Sequence, residues 1–172
     1  MSAQSALFFI RPERPSDLAD IDSVVRAAFV FHPHSKQTEH LIVKRLRAGG
    51  RLALSLVAET PDGAIVGHAA FSPVAIDGQD VKWMGLGPMA VLQSCQGMGA
   101  GSALATAGLA ALEELGVAGC VVLGEPGYYR RFGFEADSRL RYLGAPPEYF
   151  LRVALDGKAP PSGEVSYDAA FD

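Results

Sequence analysis

The chain has 172 residues, 49% of them hydrophobic, and a formal net charge of −4. It is long enough for one domain with a real core over residues 1–172, and its scattered basic residues give no nucleic-acid footprint. No apolar run approaches the length of a membrane span and no charged-then-apolar leader is present, so a cytoplasmic protein without membrane contact is expected.

Leu7 to Ile10 reads as a first strand. Pro15-Ser-Asp17 then starts a helix whose apolar stripe is Leu18, Ile21, Val25 and Ala28. His32-Pro-His34 is a loop. Its two histidines have no third ligand at fixed spacing, so no metal site is expected. Thr38-Glu39 opens a second helix that Gly49-Gly50 stops. Strands over 52–59, 64–71 and 81–92, joined by Pro61-Asp-Gly63 and Asp77-Gly78, predict an antiparallel meander. In it His68 reads as a strand-face residue. Segments 150–155 and 164–167 read as closing strands. Cys95 and Cys120 have neither C-x-x-C nor zinc-ligand spacing and read as reduced thiols.

The meander leads into the most informative stretch, Gln96-Gly-Met-Gly-Ala-Gly-Ser102, and then into a helix with Leu104, Ala105, Leu109, Leu112 and Leu115 on one stripe. Glycine at every second position allows a tight turn and leaves the peptide N–H groups uncovered. The N–H groups of the helix's first turn and its dipole favour an anion at the same place. Three phosphate-binding patterns compete for that anion. A Walker-type loop requires Gly-Lys-Ser/Thr, and no Lys follows these glycines. A dinucleotide fingerprint fits Gly97-Met-Gly99-Ala-Gly101-Ser102 except at the last position, where Ser replaces Gly or Ala. The third pattern, Gln/Arg-x-x-Gly-x-Gly/Ala, is met in full by Gln96 to Gly101.

That third pattern, placed after the strand end Met89-Ala-Val-Leu92, resembles the coenzyme A loop of GNAT-type N-acetyltransferases. A second match supports it. The strand Cys120-Val-Val-Leu123 is followed by Gly-Glu-Pro-Gly-Tyr-Tyr129-Arg-Arg-Phe-Gly133-Phe134, and the Tyr-x-x-x-Gly-Phe ending is similar to a segment of the same superfamily. The fuller wording Leu-Gly-x-Pro-x-Tyr-Tyr-x-Arg-Phe-Gly-Phe resembles a subgroup of predicted N-acetyltransferases related to the bacterial YhbS protein, from about Glu39 to Phe171.

The resemblance implies a GNAT-like α/β fold: a mixed, largely antiparallel sheet, a parallel β-α-β core unit over 81–123, and helices on both faces. It implies transfer of an acetyl group from acetyl-coenzyme A to an amine of a small molecule, protein or peptide, by a monomer or homodimer without a metal. The backbone of Met89, Ala90 and Val91 would pair with the pantetheine arm. The segment Gln96, Gly97, Met98, Gly99, Ala100, Gly101 and Ser102 would hold the pyrophosphate. Gly85, Gly87 and Pro88 are residues that bulge a strand, and a splayed sheet would leave room for the arm. Tyr129 is the implied general acid, with Tyr128 beside it as competitor. Many relatives carry a Glu base on the central strand, and this chain has none there. Glu125 and Glu39 are the alternatives, with a water chain as a third. The two N-terminal helices would wall the acceptor cleft, with His32 and Glu39 facing substrate. Two rivals stand beside the enzyme: a non-catalytic acyl-coenzyme A sensor and a nucleotide-linked oxidoreductase.

Overall fold

Residues 54–91 supply the centre of a nine-stranded sheet, because their side chains are apolar or small on both faces. The structure, a computed structural model, describes residues 7–172. Strand β1 (Phe9–Pro12) pairs with β2 (Leu54–Glu59), β2 with β3 (Ile65–Ile76), and β3 with β4 (Gln79–Val91), all antiparallel. A crossover through helix α3 (Ala100–Glu114) then sets β5 (Gly119–Leu123) parallel to β4. Strand β8 (Phe150–Ala154) lies antiparallel to β5 and carries the two-residue β6 (Glu135–Ala136) on its far side. The expected mixed sheet and its parallel unit are therefore both present.

Helices cover both faces. Helix α3 packs Leu104, Leu109 and Leu112 onto one face, against Leu56, Ala69, Phe71 and Leu86. Gly108 lets it come close, since a Cβ there would lie 2.2 Å from the Phe71 ring. On the opposite face α1 (Leu18–Phe29) and α2 (Glu39–Ala48) bury Ile21, Val24, Val25 and Val43 against Val57, Ala70 and Ala90. Helix α1 is not capped by the Asp17 carboxylate. That group instead accepts from the Arg14 amide at 2.7 Å and from both terminal nitrogens of Arg11, at 2.7 and 3.0 Å.

Two segments differ from the expected elements. The first strand begins at Phe9, because Leu7 is exposed and unpaired. The segment over 164–167 does not close the sheet. As β9 (Gly163–Ser166) it pairs with Ala75 and Ile76 at the far end of β3 and runs parallel to the two-residue β7 (Leu140–Arg141). It thereby covers a third apolar cluster around Val74, Trp83, Val121 and Phe150, which α1 and α2 do not reach.

Candidate active site

Strand β4 is irregular where its sequence turns to Gly87-Pro88. Leu86 pairs with Phe71 and Met89 with Ala69, so Gly87 and Pro88 together oppose Ala70 alone. This is a bulge, and it bends β4 away from β5. The two strands pair from Trp83–Gly119 to Leu86–Val122, and no further rung forms among the described residues. Residues 88–91 therefore present an unpaired strand edge to a split in the sheet.

The glycine loop lies beside that edge. Gly97 and Gly99 adopt φ of 77° and 93°, where a side chain would be strained, and they turn the chain into α3. The backbone amides of 97–102 donate to no acceptor among the described residues, and Ala103 is the first to bond back, to the Gly99 carbonyl at 2.9 Å. Loop and strand edge line one groove of about 470 Å³, with Met89, Val91, Cys95, Tyr128 and Arg131. A Cβ on Gly101 would lie 2.8 Å from the Tyr128 hydroxyl, so a side chain there would push that tyrosine aside. Arg131 stacks over the Tyr128 ring at 4.7 Å, and its Nε donates to the Tyr128 carbonyl at 2.9 Å. The groove thus combines unpaired amides, a helix N-terminus and one guanidinium, all suited to phosphate.

Of the expected site residues, Gln96, Gly97, Gly99, Ala100, Gly101 and Ser102 line the groove, as do the side chains of Met89 and Val91. Met98 is exposed beside the loop, and Ala90 faces α1 and α2. Gln96 donates from Nε2 to the Val91 carbonyl at 3.3 Å, which ties loop to strand. Tyr129 sits at the end of the short helix α4 (Pro126–Tyr129), edge-on to Phe134 and over Gly124, where a Cβ would meet its ring at 2.3 Å. Burial first, then the neighbouring Tyr128 and Cys120, push its hydroxyl well above the usual phenol range, so it stays protonated at neutral pH.

The other expected residues lie elsewhere. Glu125 is exposed, and its carbonyl accepts the Tyr128 and Tyr129 amides that start α4. Glu39 accepts from the Ser35 hydroxyl and from the Thr38 amide at 3.0 Å, so it closes the start of α2. His32 is exposed in the α1–α2 loop, with its ring against Phe29. These three are not brought into the groove. The groove residues that sequence reasoning missed are Arg131 and Cys95. Arg131 carries a signal in its spacing, three positions after Tyr128 on a helical turn, which puts the two on one face.

The sequence model of the Acetyltransferase (GNAT) family matches residues 20–134. An uncharacterized N-acetyltransferase, YhbS, of Escherichia coli strain K12 is 38% identical over 168 residues, 95% of this chain and 98% of its own length. Among solved structures, a GNAT family acetyltransferase from Brucella melitensis in complex with acetyl-coenzyme A is 48% identical. It superimposes with a TM-score of 0.86, over 98% of this chain and all of that one. The YhbS structure from E. coli, in complex with coenzyme A, gives 34% identity and a TM-score of 0.87, over 99% of this chain and 95% of that one.

Proposed function

This chain belongs to the GNAT acetyltransferase family, and from that premise we propose that it moves an acetyl group from acetyl-coenzyme A to the amine of a small molecule, protein or peptide. The observation that carries the reading is the run of unpaired amides over 97–102, opening on the same groove as the unpaired edge of β4. The amides and Arg131 hold the pyrophosphate. The arm lies along the backbone of Met89 to Val91 and adds a strand-like rung where β5 has left β4. This placement spends binding energy on parts of the donor remote from the reaction and fixes the thioester in the split.

The amine nitrogen then attacks the thioester carbonyl carbon, the carbon–sulfur bond breaks, and the nitrogen gives up its extra proton to water. Tyr129 delivers its phenolic proton to the departing thiolate. Its protonated state and its ring's place over Gly124, the residue after β5, suit that role. No cluster of three or more metal-binding side chains occurs among the described residues. No helix among them is long and apolar enough to cross a membrane.

A thermal-shift comparison tests the reading. Acetyl-coenzyme A at a hundredfold its Kd adds about 2.7 kcal/mol, a rise of roughly 5–10 °C for a domain of this size. NAD should give none. A shift with NAD and none with acetyl-coenzyme A would replace this reading with the nucleotide-linked one.

A further inference from the structure

Three buried side-chain polar atoms have no hydrogen-bond partner among the described residues: His68 Nδ1, Ser72 Oγ and the Tyr167 hydroxyl. They share one face of the sheet, away from α3, and they cluster along the stretch of β4 that carries the bulge. His68 is paired across the ladder with Ala90 and Ser72 with Gly85. Tyr167 lies over Gly85 itself, where a Cβ would come within 2.7 Å of its Cε1 atom. Glycine at 85 is thus what admits the Tyr167 ring onto β4, one residue before the last rung that joins β4 to β5. A buried hydroxyl without a partner loses its bonds to water and gains none in return, so such groups are rare in folded proteins.

The direction of the donor supplies a partner. With the pyrophosphate at 97–102 and the arm along Val91 to Met89, the acyl end points toward Gly87 and the place where the strands rejoin at Leu86 and Val122. The polar atom it brings there is the carbonyl oxygen, which accepts hydrogen bonds and donates none. We propose that Tyr167 is a carbonyl-binding residue of the active site, its hydroxyl donating to the thioester oxygen from the face opposite Tyr129. The inference rests on the acetyl-coenzyme A reading above. Burial, and after it Cys120, Tyr142 and Tyr129, push the Tyr167 hydroxyl up, which keeps it a donor. Its ring is fixed by Tyr142 and Phe171, at 5.2 and 5.1 Å between centroids. The two tyrosines thus divide the thioester between them, Tyr129 at the sulfur and Tyr167 at the oxygen.

The test uses Tyr167→Phe, which removes the hydroxyl and keeps the ring, with calorimetry of acetyl-coenzyme A and of coenzyme A on both proteins. Loss of one hydrogen bond should weaken acetyl-coenzyme A about 3–10-fold and leave coenzyme A within twofold. Infrared difference spectra with a ¹³C-labelled acetyl carbonyl give an independent readout. The carbonyl band should lie below that of free acetyl-coenzyme A in the wild type and return toward it in the variant. Equal loss of both ligands, or no loss with an unmoved band, would overturn the assignment. Failure of the wild type to bind either ligand would instead overturn the donor reading beneath it.

Discussion

Tyr128 and Tyr129 are neighbours in sequence with their rings edge-on at 4.9 Å, and the fold gives them different surroundings. Tyr128 faces the groove over Gly101, while Tyr129 turns inward to Phe134 above Gly124. Tyr129→Phe should therefore lower turnover by about 10²–10⁴-fold with donor affinity nearly unchanged. Tyr128→Phe should act on affinity instead, because its hydroxyl lies in the groove over Gly101. Free-thiol release under saturating acetyl-coenzyme A, with an amine found by screening, separates the two. Wild-type turnover in Tyr129→Phe would remove it as the acid. Much of this site was legible at the residue level, because Gly97, Gly99 and Gly101 announce a backbone need that few other residues meet. Arg131 and Tyr167 were not legible. The spacing of Arg131 from Tyr128 shows only that the two share a face, and its place over the loop arises when α4 folds there; the contact of Tyr167 with β4, made by the segment after β9, leaves no local spacing at all. Glu39 read as a substrate carboxylate; at the start of α2 its oxygens accept from the Ser35 hydroxyl and the Thr38 amide, contacts no sequence spacing announces.

Between elements, one polar tie joins the end of β1, α2, β2 and β3. Arg47 donates to Glu13 twice at 2.9 Å, Glu13 accepts from the Ser55 hydroxyl, and Ser55 Oγ lies 2.8 Å from His68 Nε2. Because the single Ser55 proton goes to Glu13, Nε2 carries the imidazole proton and donates to Ser55. Burial pushes the His68 pKa down from 6.5 to about 4, with Arg47 adding to the fall and Glu13 opposing it. The folded state thus binds this proton less readily than the unfolded chain. Stability from His68 is complete above pH 6.5 and is lost as pH falls toward 4, about 3 kcal/mol in all. The paired carboxylates Glu13, Asp17 and Asp137 are all lowered, so their shares are lost further down the scale. Urea unfolding from pH 7 to pH 4 should show this slope, and His68→Gln should flatten it. An equal slope in the variant would place the titrating group elsewhere. A lone histidine on a strand shows its face in the sequence, but not its partners from β1 and α2. The elements themselves were largely legible, since turns at Gly49-Gly50, Gly63 and Gly78 punctuate clear periodicities. Strands β6 and β7 have two residues each, too short for any period to show.

At the scale of the whole molecule, one interruption in β4 organises the site. The bulge at Gly87-Pro88 parts β4 from β5, α3 places its open N-terminus beside the free edge, and the segment after β9 covers the other face at Gly85. Most of that arrangement followed from reading strand, glycine loop and helix as one parallel unit, because a crossover of this kind constrains where the helix starts. The central claim is that the amides of 97–102 receive the donor's phosphates. A titration of ¹⁵N-labelled protein with coenzyme A, followed by amide resonances, tests it most directly. The account predicts that the resonances of Gly97, Gly99, Gly101 and Ser102 move most, followed by those of Met89 to Val91, while His32 and Glu39 stay in place. Movement confined to the α1–α2 loop, with the glycine amides unmoved at saturation, would contradict it.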